Sequence, residues 1–178
     1  MPETLKTPNK LKTCLSYSAG LFILFFLSAW GLATQQEWYK AGSAKHSYYM
    51  GLDSSTVTNG AMASTIRSLT KRVDGFGTIA TSVDAKAFVG KEIRLSGYLK
   101  TKGVKRFAGF WLRIDGEKNE TLFIENMQSR NIKGDTPWKQ YSIQTDVPAE
   151  VVSIYYGALL DDGGQLWFAD VNLVNLNP

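Results

Sequence analysis

Residues 91–101 have the sequence KEIRLSGYLKT, and they show one of the two clearest strand patterns in the chain. Side chains of a β-strand point alternately to the two sides of its sheet. One side of this stretch is shared by Ile93, Leu95, Gly97 and Leu99. The other side is shared by Arg94, Ser96, Tyr98 and Lys100. The alternation therefore predicts a strand with one apolar face and one face of polar and aromatic groups.

Residues 107–115, FAGFWLRID, show the same alternation. Their aliphatic and aromatic side holds Phe110, Leu112 and Ile114, and their other side holds Trp111, Arg113 and Asp115. Two such strands are expected to enclose a core between two stacked sheets. If the two strands pair with each other, Arg94, Tyr98, Trp111 and Arg113 share one outer face.

Short alternating runs of this kind recur about every ten residues from Glu37 onward, separated by turn signals such as Asp74-Gly75 and Asp162-Gly163-Gly164. We predict strands at residues 38–41, 48–52, 61–69, 77–82, 91–101, 107–115, 120–126, 138–145, 151–160 and 165–174. This spacing is typical of an all-β sandwich or barrel. Residues 37–178 contain no internal repeat or linker, so we expect them to form one domain.

The N-terminal part, residues 1–36, has a different character. No charged residue occurs between Lys12 and Glu37, and the centre of this segment is the apolar run 20–27, GLFILFFL. A helix of about 20 apolar residues spans a bilayer core. Lysines before the run favour an N-terminus that stays in the cytoplasm. The segment is expected to be either a cleaved signal peptide or an uncleaved transmembrane anchor, which places the domain in the periplasm or on the outer side of the inner membrane.

The composition excludes several classes of function. From Thr34 onward there are 17 basic and 15 acidic residues, an excess of +2, which predicts no nucleic-acid partner. The single cysteine, Cys14, lies before the apolar run, so an intrachain disulfide and a cysteine-based zinc site are both excluded. The single histidine, His46, lies in a loop-like stretch without a nucleophile motif. No pair of carboxylates is convincingly matched, so we expect a protein without catalytic activity, cofactor or metal.

Several stretches resemble a bacterial jelly-roll β-sandwich module. They are 38–43 (WYKAGS), 75–78 (GFGT), 94–101 (RLSGYLKT), 109–116 (GFWLRIDG), 126–130 (NMQSR) and 166–171 (LWFADV). The resemblance covers nearly all of residues 38–173. It implies two antiparallel sheets of the galactose-binding-like or carbohydrate-binding-module type, as found attached to some transcription regulators and hydrolases. The last strand of such modules often has paired acids that help hold a structural calcium, and here the pair is Ala169-Asp170.

Ligand binding is the function that the outward-facing side chains favour. A flat aromatic surface with a few convergent polar groups is the usual form of a small-molecule site. The candidate ligand-binding residues are Arg94, Tyr98, Trp111, Arg113, Asn126 and Gln128, with Trp138 and Tyr155 as further candidates. Structural roles are the alternative: Arg113 could instead neutralise Asp115 or Glu125, and residues 126–128 could tie down a loop.

Two functions remain open at this point. The first is an exported or membrane-anchored module that binds a carbohydrate or another polar small molecule. The second is a structural module that docks a protein partner at the cell envelope through a sheet edge or an apolar patch.

Overall fold

The computed structural model describes residues 37–58 and 61–177, and ten β-strands make up most of them. The strands are β1 (Tyr39–Ala41), β2 (Tyr48–Thr58), β3 (Ala61–Ser68), β4 (Phe76–Asp84), β5 (Glu92–Val104), β6 (Phe107–Asp115), β7 (Thr121–Glu125), β8 (Gly134–Asp146), β9 (Ser153–Asp161) and β10 (Gln165–Asn175). The helices within the described ranges are single 3-10 turns. The all-β prediction is confirmed.

The strands form two antiparallel five-stranded sheets. The first sheet has the order β1-β4-β9-β6-β7, and the second has the order β2-β3-β10-β5-β8. The predicted jelly-roll sandwich of two antiparallel sheets is therefore confirmed. The predicted N-terminal hydrophobic helix, within residues 1–36, lies outside the described residues. No helix in residues 37–58 or 61–177 has the length and apolarity needed to cross a bilayer.

The core lies between the sheets, on the faces that the alternation predicted. Ile93, Leu95 and Leu99 of β5 are fully buried there. From the opposite sheet, Phe110 packs edge-on against Phe168, with ring centroids 6.5 Å apart. Gly97 leaves the space that Phe110 fills, because a Cβ at position 97 would lie 2.7 Å from Phe110 Cζ.

The shared outer face considered for β5 and β6 depended on their pairing, and the two strands do not pair. β5 pairs with β10 and β8, whereas β6 pairs with β9 and β7. The chain crosses from the second sheet to the first between β5 and β6, so Arg94 and Tyr98 lie on the opposite side of the sandwich from Trp111 and Arg113. The alternation of side chains shows which of them enter the core. It does not show whether two strands pair in one sheet or face each other across the core, because the pattern is the same in both cases.

The turn between β9 and β10 is held by a buried carboxylate. Asp162 has a left-handed backbone (φ 64°), and its Oδ1 accepts hydrogen bonds from the Val73 N (2.9 Å) and the Gly163 N (2.8 Å). These hydrogen bonds, chiefly that from Val73, lower the pKa of Asp162. The Tyr48 hydroxyl donates to the Asp162 carbonyl at 2.9 Å, and burial raises the pKa of Tyr48 to about 12. The sequence prediction of a turn at Asp162-Gly163-Gly164 is confirmed.

We expect Asp162→Ala to lower the free energy of unfolding by about 2–4 kcal/mol, because it leaves two backbone N–H groups without acceptors. The folded-state pKa of Asp162 is below the unfolded value, so its contribution is present above about pH 4 and is lost as the pH falls further. Urea denaturation at pH 7 and pH 3 measures both effects. A loss in Asp162→Ala that is equally large at both pH values would contradict this role of the charge.

Candidate functional site

The outer face of the first sheet is indented by small residues between large ones. Strand register places Tyr39, Ala80, Gly157 and Trp111 in one row across β1, β4, β9 and β6. The small residues in the middle of this row form a floor, and the two ends of the row are aromatic residues. The resulting outer groove has a volume of about 400 Å³. Its lining is mostly apolar and consists of Tyr39, Ala41, Gly42, Phe76, Thr78, Ala80, Phe107, Trp111, Arg113, Ile124, Asn126, Leu159 and Asp161.

Trp111 extends across the floor of this groove. Its Nε1 donates a hydrogen bond to Thr78 Oγ1 at 2.8 Å, although Trp111 is on β6, Thr78 is on β4, and β9 lies between these two strands. The indole must therefore extend across β9, over a distance set by the strand spacing of about 4.8 Å. Trp111 is half-buried, so part of its ring remains open to solvent. The outer face of the sheet thus presents a partly exposed aromatic ring.

Thr78 fixes the orientation of that ring. Its side chain is 3% exposed, and its Oγ1 donates to the Ala158 carbonyl at 2.8 Å while it accepts from Trp111. A single hydroxyl therefore links the indole to the backbone of β9. The Thr78 hydroxyl thus both donates and accepts a hydrogen bond, and it gives the Trp111 N–H an acceptor within the protein.

We expect Thr78→Val to free the indole, because valine keeps the shape of threonine but has no oxygen to accept the Nε1 hydrogen. The Trp111 Nε1–H should exchange with solvent about fivefold faster or more, as one neutral hydrogen bond contributes about 1 kcal/mol or more. Hydrogen exchange followed by NMR measures this rate. Thr78→Ser, which keeps the hydroxyl, is the matched control, and equal exchange rates in the two variants would argue against this role.

Arg113 lies beside Trp111 on the same face of β6. Its Nε donates to Asp115 Oδ1 at 2.7 Å and its Nη2 donates to Oδ2, while Asp115 is only 2% exposed. These hydrogen bonds raise the pKa of Arg113. The guanidinium also lies 5.8 Å from the centre of the Tyr155 ring. The structural role considered for Arg113 is thus present, with Asp115 as partner, and the same contacts hold the guanidinium at the groove.

The two ends of the groove differ. Arg113 and Tyr155 lie at one end, and Phe76, Phe107 and Asp161 lie in one row at the other. Burial raises the pKa of Asp161, and the charge of Arg106 opposes that shift. Arg106 Nη1 lies 3.2 Å from Asp161 Oδ1, so this carboxylate is paired.

Asn126 and Gln128 belong to the loop after β7. Asn126 lines the groove, and its Oδ1 accepts a hydrogen bond from the Gln128 N at 3.1 Å. Met127, which is fully buried, has φ 61° and donates its N–H to Glu125 Oε1 at 2.9 Å. Gln128 is exposed and does not line the groove. The loop-fixing role of residues 126–128 is present, and only Asn126 joins Trp111 and Arg113 in the groove.

Arg94 and Tyr98 occupy the outer face of the second sheet. Arg94 borders a polar depression of about 320 Å³ together with Ser96, Gln140, Tyr141 and Ser142. Trp138, a further candidate, is half-buried on β8 in the same sheet. Of the predicted binding residues, the structure therefore brings together Trp111, Arg113 and Asn126, along with Tyr155 at the Arg113 end.

Sequence reasoning missed Tyr39, Thr78 and Gly157 as parts of the site. A glycine inside a predicted strand signals a close approach of another group, and Gly157 in the run 151–160 was such a signal. A Cβ at position 157 would lie 2.2 Å from the Ile79 carbonyl oxygen, so glycine is required there. The hydroxyl of Thr78 gave no signal in sequence, because its partner comes from another strand.

The structure also shows where the residues considered for catalysis and metal binding lie. His46 lies exposed in the 3-10 turn Lys45–Ser47. Within the described ranges, no three His, Cys, Asp or Glu residues come together as a metal site. Asp170, the acid considered for a structural calcium, has φ 53° at the irregularity of β10 between Ala169 and Asn172.

The fold and the groove define a class: a jelly-roll β-sandwich with an open groove on one sheet. The family-22 carbohydrate-binding module at the C-terminus of Clostridium thermocellum Xyn10B has this fold, with TM-score 0.55 and 13% identity over 79% of this chain and 86% of that one. The Xyn10B CBM22-1–GH10 modules complexed with xylohexaose match with TM-score 0.56 and 15% identity, over 79% of this chain and 26% of that one. The enzymatically active domain of bacteriophage CBA120 tailspike protein 4 matches with TM-score 0.58 and 12% identity, over 78% of this chain and 19% of that one. At these identities the likeness shows the fold.

In sequence, the chain is similar to YbfP of Bacillus subtilis strain 168, an uncharacterized HTH-type transcriptional regulator. The identity is 35% over 135 residues, which are 75% of this chain and 46% of that protein. The chain thus spans less than half the length of this curated relative. No protein-family model matches the sequence.

Proposed function

We propose that the domain is a non-catalytic carbohydrate-binding module that holds a glycan in the outer groove. The observation that carries this proposal is the Trp111 indole, which extends across β9 in the groove and is held there by a hydrogen bond to Thr78. One face of a pyranose ring exposes mainly C–H groups, and these pack well against a flat aromatic ring. A ligand on this surface also displaces water from an apolar floor.

Polar groups around the indole can then orient the sugar. Arg113 and Asn126 border the groove near Trp111, and the Tyr39 side chain stands across the floor from it. Burial raises the pKa of Tyr39, so its hydroxyl stays protonated at neutral pH and can donate to a sugar oxygen. The combination of an apolar surface with a few placed donors is the usual composition of a small-molecule site.

Solved structures that share the fold support this proposal. Xylan- and xylohexaose-binding modules share the sandwich, and one of them has a cleft studied for ligand binding. The similarity to part of a transcriptional regulator fits a module that detects a ligand rather than one that cleaves it. We further propose that residues 1–36 export or anchor the domain, because of their uncharged apolar run after three lysines. N-terminal sequencing of the protein from a membrane fraction would separate anchoring from cleavage.

A glycan array with the full chain in mild detergent tests the binding function. We expect binding to one group of related oligosaccharides, and we expect Trp111→Ala to remove it. A folded protein that binds no glycan on the array, and no xylohexaose by calorimetry, would count against the proposal.

A protein-docking function is the second candidate, and the rim of the groove is the observation that favours it. Ile124 is 61% exposed, Tyr39 is 43% exposed and Phe76 is 37% exposed, and all three border the groove. Exposed apolar side chains grouped in this way also occur at protein interfaces. In that case Ile124→Ser should abolish partner binding, whereas glycan binding that survives Ile124→Ser would favour the first function.

A further inference from the structure

We infer that the glycan bound by this groove is acidic, and that its negative groups contact a basic surface at the Asp161 end of the groove. This inference rests on the proposed carbohydrate-binding function. We call this surface the basic end, and it consists of Lys71, Arg72, Lys102, Lys105, Arg106 and Lys133. All six side chains belong to exposed residues.

The topology brings these residues together. Gly163, in the turn between β9 and β10, lies against the Lys71 carbonyl and against the Lys105 side chain, since a Cβ there would be 2.3 Å and 3.4 Å from them. The Lys105 N–H also donates to the Gly163 carbonyl at 2.9 Å. The loop after β3, the turn after β5 and the turn after β9 therefore meet at one end of the sandwich.

The acids at this end are already neutralised by arginines. Asp161 pairs with Arg106 at 3.2 Å, and Asp162 pairs with Arg72 at 3.3 Å. Among the described residues, no ion pair involves Lys71 or Lys105. The basic end has six cations, and the carboxylates of the same loops and turns are the two already named together with Asp74 and Asp135, which leaves an excess of two positive charges. An open excess of one sign attracts ligands of the opposite sign.

The groove leads directly to this surface. Asp161 lines the groove, and the Arg106 guanidinium pairs with its carboxylate. The Arg106 side chain is 52% exposed. Trp111 and Asp161 are two rows apart along the strands, a separation of about 13 Å. An oligosaccharide that stacks one sugar on Trp111 and continues past Phe107 therefore brings its later sugars to Arg106 and Lys105. Carboxylates on those sugars gain charge-assisted hydrogen bonds there.

The opposite end of the sandwich does not offer this surface. Glu117, Glu120 and Glu150 surround a shallow depression beyond the other ends of the strands. Lys86 and Lys118 are exposed in 3-10 turns at that end, which makes them a matched control for Lys71 and Lys105 of the basic end. An acidic glycan is thus directed to one end of the groove, and its orientation is set by charge.

The test compares two probes of equal length, hexagalacturonate and neutral xylohexaose, by calorimetry with the full chain at low and at physiological salt. We expect the acidic probe to bind at least tenfold tighter at low salt, and this advantage to shrink as salt screens the charges. The double variant Lys71→Gln/Lys105→Gln should remove most of the advantage. The double variant Lys86→Gln/Lys118→Gln, which changes the net charge equally, should keep it.

Each outcome has a distinct meaning. Equal affinity for the two probes, or an advantage that survives Lys71→Gln/Lys105→Gln, would overturn the acidic-ligand inference and leave the carbohydrate-binding function standing. An advantage that Trp111→Ala leaves unchanged would place the acidic probe outside the groove, and would also overturn the inference. Failure of the folded protein to bind either probe or any glycan on the array would instead contradict the proposed function itself.

Discussion

Trp111→Ala should weaken glycan binding by about 30-fold or more. A central aromatic residue in a binding site typically contributes about 2 kcal/mol or more, and each 1.4 kcal/mol is a factor of ten in affinity. Here the reason is geometric, because the indole crosses β9 to reach Thr78 and covers part of the floor. Isothermal titration calorimetry with the best glycan from the array measures the change.

The control for this variant is Trp138→Ala. Trp138 is also a half-buried tryptophan, but it lies on β8 in the second sheet and does not line the groove. Its replacement should leave glycan affinity within about twofold. If Trp111→Ala retains wild-type affinity while the circular dichroism of the variant shows an intact sandwich, the flat indole is not the binding surface.

Phe110→Ala should lower the free energy of unfolding by about 3–5 kcal/mol, the range for deleting a fully buried phenylalanine. Phe110 is 0% exposed, and it bridges the two sheets through its contact with Phe168 and through the space left by Gly97. Its removal therefore leaves a cavity between the sheets rather than at their edge. Urea denaturation followed by tryptophan fluorescence measures the loss.

Two further variants make this result interpretable. Ile124→Ala removes an apolar side chain that is 61% exposed, and it should change stability by no more than about 0.5 kcal/mol. Phe110→Leu keeps most of the buried volume, so it should lower the free energy of unfolding by less than Phe110→Ala does. It is the variant to measure if Phe110→Ala does not fold. A cost for Phe110→Ala as small as that for Ile124→Ala would show that the two sheets are not packed through this residue.

Much of the fold could be predicted because the strand signal is local. β5 and β6 have side chains that alternate between core and solvent, and burial follows that alternation at Ile93, Leu95, Phe110 and Leu112. The turns also had local causes, as at Asp162-Gly163-Gly164, where a left-handed backbone favours aspartate and glycine. The resemblance to jelly-roll modules agreed with this pattern and with the solved structures that share the fold.

The candidate site was predicted only in part. Trp111, Arg113 and Asn126 come close in space because β6 and the loop after β7 are neighbours in the first sheet. Arg94 and Tyr98 were grouped with them on the assumption that β5 pairs with β6. That pairing does not occur, because the chain changes sheets between the two strands. Tyr39 and Thr78 reach the groove from β1 and β4, which are distant in sequence from β6.

The ten strands, and the face of each clear strand that enters the core, follow from the amino-acid sequence alone. These properties depend on side-chain chemistry and on a repeat of two residues, and both are present in any short segment. Which strands are neighbours, and therefore which outward side chains form a groove, depends on the complete fold. Strand neighbours are set by long-range hydrogen bonding and by the packing of one sheet on the other, and neither depends on a single segment.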